Sequence, residues 1–487
     1  MKHVVCFIVV LFYVMLSGCQ SSGNQPNTAQ PTTNNAEQPS KPVEIDDTGR
    51  DTSALSLEKA NINTTVPEFK DDAEYLRFFN TKYNEIVVED IFSPTVGTRV
   101  LTYPQIAMYE TLRFSVEPNL PTFTGKLNGL TTLPQPQAGQ TYDYTLAAVT
   151  AFCEVGRTLI WSKHFLKEAQ DNFTKQRSAK TDPAVAQRSV AYGVEMAKAI
   201  NDWKKGDNYA QTRGMQRHML NLKDPAAWIP TPPLQLAALE PNWLKVRPLT
   251  LDSASQFIPQ PPVKFDTIKG SAFYKESYEV YNAGKKLNPE QKEMALFWDN
   301  NPNGIRVKGH LNYFIKKISP TGHWLGIVGI LTRDKKMNAA QTAQTYAYAG
   351  IALFDAFISC WDEKYRSNLL RPETFINLYI DPDWAPLIQT PPFPEHTSGH
   401  SVASSAVAYV LTQQFGKNMA FTDNALDIEG LTPRKFKSIQ QAADEACISR
   451  LYGGIHFRRA IEAGQVQGKK VGENVWKKLT GTTSEKK

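Results

Sequence analysis

From about Pro67 onward, apolar residues recur three and four positions apart, and stretches that alternate are sparse. Tyr75 to Asp90, Tyr142 to Ala169, Pro183 to Trp203 and Ala339 to Asp362 carry apolar residues at i, i+3, i+4 and i+7. That spacing predicts helices with one face turned to a core. Ala340 to Cys360 is rich in Ala and short of Gly and Pro, which predicts a long, well-buried helix. Pro230-Thr231-Pro232-Pro233 and Pro259-Gln260-Pro261-Pro262 bracket a long irregular excursion, expected to cross the surface and link two helical sets. No repeat of 20–50 residues is visible. The chain therefore reads as all-α, with helical bundles packed into one domain over residues 67–480 and a short tail at 481–487. Its 487 residues, 41% of them hydrophobic, supply a large core and rule out a wholly disordered chain.

The first residues read differently. Met1-Lys2-His3 is a basic start, and Val4 to Leu16 is apolar apart from one Tyr. The run suits a signal h-region and is short for a membrane span. Leu16-Ser17-Gly18-Cys19 follows at once and resembles a bacterial lipobox, which implies lipidation at Cys19. Residues 1–19 are thus expected to be a lipoprotein signal peptide. Residues 20–66 are rich in Ser, Asn, Gln, Thr and Pro, and are expected to form a flexible linker. Gln20 after the Cys favours the outer membrane by the sorting rule for such lipoproteins. Other apolar runs are interrupted by charges, so the lipid anchor is the only membrane attachment expected.

The net charge of +6 is small and dispersed, which argues against nucleic-acid binding. The eight His and five Cys form no CxxC, HExxH or zinc-finger spacing. Beyond the signal region the thiols are Cys153, Cys360 and Cys447, an odd number, each in an apolar helical setting. They read as small buried residues.

Three clusters in the last third carry chemistry. In the first, Lys364 and Arg371 lie seven apart, which on a helix is one face, and Pro372 should end or kink that helix. Alone it is a weak signal and better suits a solvated basic face. In the second, a Pro-rich loop, Pro391-Pro392-Phe393-Pro394-Glu395-His396-Thr397, enters a helix through Ser398-Gly399-His400. Free backbone N–H groups at a helix start suit an anion, Gly399 lets one approach, and His400 can move a proton. Alone this is also an N-cap with a surface His. The third is Ser449-Arg450-Leu-Tyr-Gly453-Gly454-Ile-His456, where the glycines can turn Arg450 and His456 to one centre, or simply cap a helix. Together they supply three cations, a hydroxyl, a backbone anion hole and two imidazoles, a set suited to a tetrahedral oxyanion.

Lys364…Arg371-Pro372, Ser398-Gly399-His400 and Ser449-Arg450…His456, in this order, resemble the signature of the phosphatidic acid phosphatase type 2/vanadium haloperoxidase superfamily. Trp361-Asp362-Glu363-Lys364, Gly322-His323-Trp324, Ala352-Leu353-Phe354-Asp355-Ala356 and Trp228-Ile229-Pro230-Thr231-Pro232-Pro233 resemble its bacterial haloperoxidase branch. The likeness covers roughly residues 70–480. Two positions depart from the pattern: Thr397 stands where Pro is usual before Ser-Gly-His, and Ala460 stands where many members carry an Asp. In the phosphatases that Asp is expected to orient the nucleophilic His; without it His456 is less well set up to attack phosphorus, whereas as a vanadium ligand it needs less activation and a backbone carbonyl could fix its tautomer, which leans toward the haloperoxidase.

The resemblance implies a vanadate-dependent haloperoxidase that uses hydrogen peroxide to oxidise a halide to hypohalous acid. His456 would bind vanadium. Lys364, Arg371, Ser398, the Gly399 N–H and Arg450 would hold the vanadate oxygens, and His400 would take a proton from hydrogen peroxide. Trp361, Asp362 and Phe393 would shape a halide pocket, with Asp362 adding negative potential, and iodide is the expected halide. The same frame also implies a phosphatase acting through a phosphohistidine at His456 and needing no metal. A non-enzymatic anion-binding envelope lipoprotein is a third reading. His396 reads either as a pocket-tuning residue or as a solvated loop His, and His323 reads as structural.

Overall fold

The computed structural model describes residues 62–308 and 310–482. The signal segment, the lipobox with Cys19, most of the linker and residues 483–487 lie outside the described residues. Five helices come first: α1 (Asp72–Glu89), α2 (Pro94–Leu112), α3 (Tyr144–Arg157), α4 (Lys163–Ser178) and α5 (Pro183–Lys205). The short α6 (Tyr209–Thr212) precedes the irregular excursion, and α7 (Ala272–Lys285) and α8 (Pro289–Phe297) follow it. Then follow α9 (Pro320–Asp334), α10 (Ala339–Ser367), α11 (Pro372–Tyr379), α12 (Gly399–Phe415), α13 (Ile439–Tyr452) and α14 (Arg458–Thr480). Among the described residues, strands are confined to two antiparallel hairpins, β1 (Ile305–Lys308) with β2 (Leu311–Phe314) and β3 (Phe421–Asp423) with β4 (Arg434–Phe436). The all-α reading holds. No described helix is long and apolar enough to cross a membrane.

α10 is the longest of these helices and the axis of the site. Asn338 and Gln341 close a reciprocal capping box at its start. Its Ala-rich body is buried, and Asn368 ends it with φ at +45°. α2 lies against it, and the Thr102 hydroxyl donates to Gly350 O at 3.0 Å. α2 and α10 form the seam between a first helical set, α1 to α5, and a second, built from α9, α10, α12 and α14. α12 and α14 pack more closely than side chains would allow. A Cβ at Gly468 would lie 2.2 Å from Val402 O, one at Gly472 2.5 Å from Ala406 O, and one at Gly464 2.9 Å from Ser401 Cβ.

Four expectations are corrected. The pattern from Tyr142 to Ala169 is two helices, broken between Arg157 and Lys163; the turn Thr158–Ser162 includes Leu159 and Ile160, which continue the apolar rhythm without being helical. The end of the compositional linker already belongs to the domain. Val66 is buried, Ile62 packs beside it, and Asn172 and Gln176 of α4 donate to the carbonyls of Thr64 and Val66. Lys364 and Arg371 do not share one helix, because α10 stops at Ser367 and Arg371 is the extended N-cap of α11. Lastly, the excursion between the two proline clusters does not skim the surface. Trp243, Val246, Leu249 and Leu251 are buried. The Asp355 carboxylate of α10 accepts the backbone N–H groups of Leu249 and Thr250 (both 2.7 Å) and the Thr250 hydroxyl (2.6 Å). Buried backbone needs partners, and this carboxylate lets an irregular segment enter the core.

Candidate active site

The three sequence clusters meet. Lys364 sits on the last turns of α10, fully buried, and its Nζ donates to the carbonyls of Pro394 and Glu395, both at 3.0 Å. Arg371, also buried, donates through Nε to Phe393 O at 2.8 Å and through Nη1 to Ile455 O at 2.9 Å. The two cations therefore clamp the Pro-rich loop from below. The loop ends at Ser398, whose N–H donates to Ala460 O at 3.0 Å. The Ser398 hydroxyl accepts from Ser401 N–H and caps α12, so Gly399 and His400 begin that helix. α13 delivers Arg450 at its last turn, where Nε donates to the Ser449 hydroxyl at 3.1 Å. Gly454, at φ +81°, then turns the chain and places His456 just before α14.

His456 and Arg371 touch, with Nε2 3.3 Å from Nη1. The other ring nitrogen of His456 faces Glu395: Nδ1 lies 2.8 Å from Oε1, which also accepts the Phe457 N–H at 2.9 Å. A carboxylate at Nδ1 holds the proton there and leaves the Nε2 lone pair toward the cations. The expectation that a backbone carbonyl fixes this tautomer is thus replaced: Glu395, from the Pro-rich loop, occupies the orienting role that the Asp position, here Ala460, leaves vacant. Glu395 thus orients His456 without that Asp, and the absence of the Asp does not separate haloperoxidase from phosphatase. In the sequence Glu395 is one residue of the Pro-rich loop with no motif role of its own; its place five residues before His400 is the one signal that ties it to the site.

The electrostatics are those of a site built for an anion. Burial pushes the Lys364 ammonium down to about 7 and the Arg371 and Arg450 guanidinium groups to about 10. Burial first, and then the neighbouring cations, holds His400 and His456 well below the ordinary histidine range, so both rings are neutral. Glu395 is raised to about 7 by burial, against the pull of Arg371 and Lys364. Arg371 Nη2 and His400 Nε2 are buried and find no hydrogen-bond partner among the described residues. Three buried cations and two idle ring or guanidinium nitrogens are costly unless an oxyanion joins them.

A pocket opens over this cluster. Gly399, His400, Arg450 and His456 line it together with Phe357, Trp361, Phe393, Pro391 and Ile455. Its polar side is Asp299, Asn300, Asn301 and Gln389, none of which belonged to a sequence motif. Trp361 and Phe393 pack with ring centroids 4.9 Å apart, and Lys364 Nζ lies 5.0 Å from the Phe393 ring. Asp362 is not part of this wall. It lies 3.5 Å from Arg366, one turn along α10, and does not line the pocket. The solvated reading of His396 is overturned as well: the ring is buried, with Nε2 2.8 Å from Gln260 O. His323 is structural, buried between Asn300 (3.1 Å) and Asp423 (2.8 Å). The three cysteines are free and buried.

A family profile, the VCPO second helical-bundle domain, matches residues 344–485, the stretch that holds all three motifs. The crystal structure of the first bacterial vanadium-dependent iodoperoxidase superposes with a TM-score of 0.80 at 45% identity, covering 87% of this chain and 100% of that one. The chain belongs to the vanadium-dependent haloperoxidase family. A holo-type bacterial vanadium-dependent chloroperoxidase matches with a TM-score of 0.64 at 15% identity over 85% of this chain and 99% of that one. An apo-type bacterial vanadium-dependent chloroperoxidase gives 0.60 at 15% over 80% and 94%. At that identity the chloroperoxidases share the fold. No curated protein sequence matches.

This haloperoxidase is accordingly an oxidoreductase, and its family implies vanadate as cofactor with hydrogen peroxide and a halide as substrates. The residues present fit that group. Among the described residues no cluster of three or more His, Cys, Asp or Glu side chains could cage a cation. The buried donors instead suit a metal carried as an oxyanion, with one imidazole lone pair available to it.

Proposed function

We propose that this enzyme is an iodide-preferring vanadate-dependent haloperoxidase that converts iodide and hydrogen peroxide to hypoiodous acid. The observation that carries the halide preference is the 45% identity with a bacterial iodoperoxidase across nearly the whole chain. The pocket wall supports it. Phe357, Trp361 and Phe393 offer aromatic faces rather than hydrogen-bond donors, and the halide that sheds its water most cheaply is iodide. Asp362 contributes nothing to the preference, since it pairs with Arg366.

Vanadate, when bound, supplies Lewis acidity toward hydrogen peroxide. His456 would ligate vanadium through Nε2, and Glu395 keeps the proton on Nδ1 so that this lone pair stays free. Lys364, Arg371, Ser398, the Gly399 N–H and Arg450 would neutralise the oxygens. His400 is neutral and its Nε2 is unpartnered, so it can accept a proton from incoming hydrogen peroxide. The apolar wall keeps water from competing with the halide.

The test is steady-state halogenation at pH 6–8 with iodide, bromide and chloride, before and after vanadate loading, beside hydrolysis of a generic phosphomonoester. Vanadate should switch on iodide oxidation, with weak or no bromide and no chloride turnover. Chloride turnover equal to iodide would reject the preference, and phosphate-ester hydrolysis without halide activity would reject the haloperoxidase reading of the site.

A further inference from the structure

Hypoiodous acid is an electrophile, and the phenol ring is the side chain that captures electrophilic iodine at carbon. Among the described tyrosines only Tyr278 (44%) and Tyr379 (39%) are more than a third exposed. Their surroundings differ. Tyr274, Tyr278 and Tyr281 fall at i, i+4 and i+7 on α7 and therefore share a face. The Tyr278 ring lies between the other two, 6.3 Å from Tyr274 with planes 19° apart and 5.6 Å from Tyr281 with planes 33° apart. The Tyr281 hydroxyl donates to Asp381 at 3.0 Å. Tyr281 itself is shielded, because Lys285 Nζ bonds its hydroxyl and sits 4.3 Å from its ring centroid. Tyr379 packs instead against Phe375 (4.8 Å) and Phe265 (6.4 Å).

We propose that Tyr278 is a self-iodination site, taking iodine from the hypoiodous acid that the enzyme releases. This rests on the iodide reading above. A π electron pair of the ring, ortho to the hydroxyl, forms the C–I bond while the O–I bond breaks and hydroxide leaves with its pair. The ring then loses the proton from that carbon, which hydroxide takes up as water, and aromaticity returns. The intermediate ring is cationic, and two electron-rich phenol faces beside it lower its energy as a cation–π contact does. Tyr379, against plain phenyl rings, has no phenol neighbour of this kind. Tyr274, Tyr278 and Tyr281 line one surface hollow together with Lys269 and Lys275.

The experiment treats vanadate-loaded enzyme with iodide and hydrogen peroxide, follows triiodide formation, and maps iodinated tyrosines by peptide mass spectrometry. A parallel arm adds hypoiodous acid directly to the same enzyme without peroxide. Tyr278 should be labelled first in both arms, about tenfold faster than Tyr379. Tyr278→Phe should lose that label and form triiodide at the wild-type rate. First labelling elsewhere, or equal labelling of Tyr278 and Tyr379, in the reagent arm overturns the proposal. Labelling by the reagent but not during turnover that does form triiodide overturns it too. Reagent labelling with no triiodide in the turnover arm would reject the iodide reading itself, and the enzyme-driven step with it.

Discussion

Glu395 reaches His456 across 61 positions of sequence, and the pair is buried. A carboxylate behind a ligating imidazole sets its tautomer and raises its basicity, and removing such a partner typically weakens metal affinity 10–100-fold. Glu395→Gln keeps the shape and an oxygen able to accept from Phe457 N–H, while it removes the charge and turns the second oxygen into an NH2 donor. Vanadate affinity, read from reactivation of vanadate-free enzyme, should fall by about one to two orders of magnitude, with circular dichroism unchanged. Unaltered affinity would make Glu395 a purely structural acid. At this scale the cations and imidazoles were legible in sequence because their chemistry is bound to residue type and order. Glu395 was not, since no periodicity links a loop acid to a histidine beyond two intervening helices. Asp362 was misjudged for the converse reason. Adjacent positions on a helix point about 100° apart, so Trp361 can line the pocket while Asp362 turns to Arg366.

The elements that bear the site are held by contacts between helices. α12 begins at the anion site and α14 begins just after His456, and glycines at 464, 468 and 472 let the two lie almost backbone to backbone. A Cβ at Gly468 would meet the Val402 carbonyl at 2.2 Å, an atom of a rigid helix backbone that cannot step aside alone. Gly468→Ala should therefore cost about 1–3 kcal/mol, the usual range for overpacking, despite the better helix propensity of Ala. It should also weaken vanadate binding by shifting Ser398 from His456. Thermal unfolding and vanadate titration check both effects, and a variant of unchanged or higher stability would contradict this packing. Helical rhythm made α1 and α5 legible, because each has one apolar stripe, and the Ala-rich body of α10 marked a helix buried on all sides. The break between α3 and α4 was hidden by Leu159 and Ile160, which continue the stripe through a turn. The buried path of residues 243–251 was hidden because its backbone is satisfied by residues distant in sequence, the Asp355 carboxylate, the Asp207 carbonyl and Asn128.

Across the whole molecule, two helical sets meet along α2 and α10, and the second set presents three motifs at one end of α10, α12 and α13. The excursion between the sets braces that end: Leu239 N–H donates to Pro392 O at 2.9 Å, and Trp361 Nε1 donates to Leu239 O at 3.2 Å. The fold thus spends its burial on fixing cations where water cannot screen them, which is worthwhile only if an oxyanion arrives. The direct test is a crystal structure of the vanadate-loaded protein with anomalous scattering from vanadium. The expected result is one vanadium peak at His456 Nε2, with Lys364, Arg371 and Arg450 turned to its oxygens and Nδ1 still on Glu395. A vanadium peak away from His456, or vanadate held without those three cations, would contradict the account.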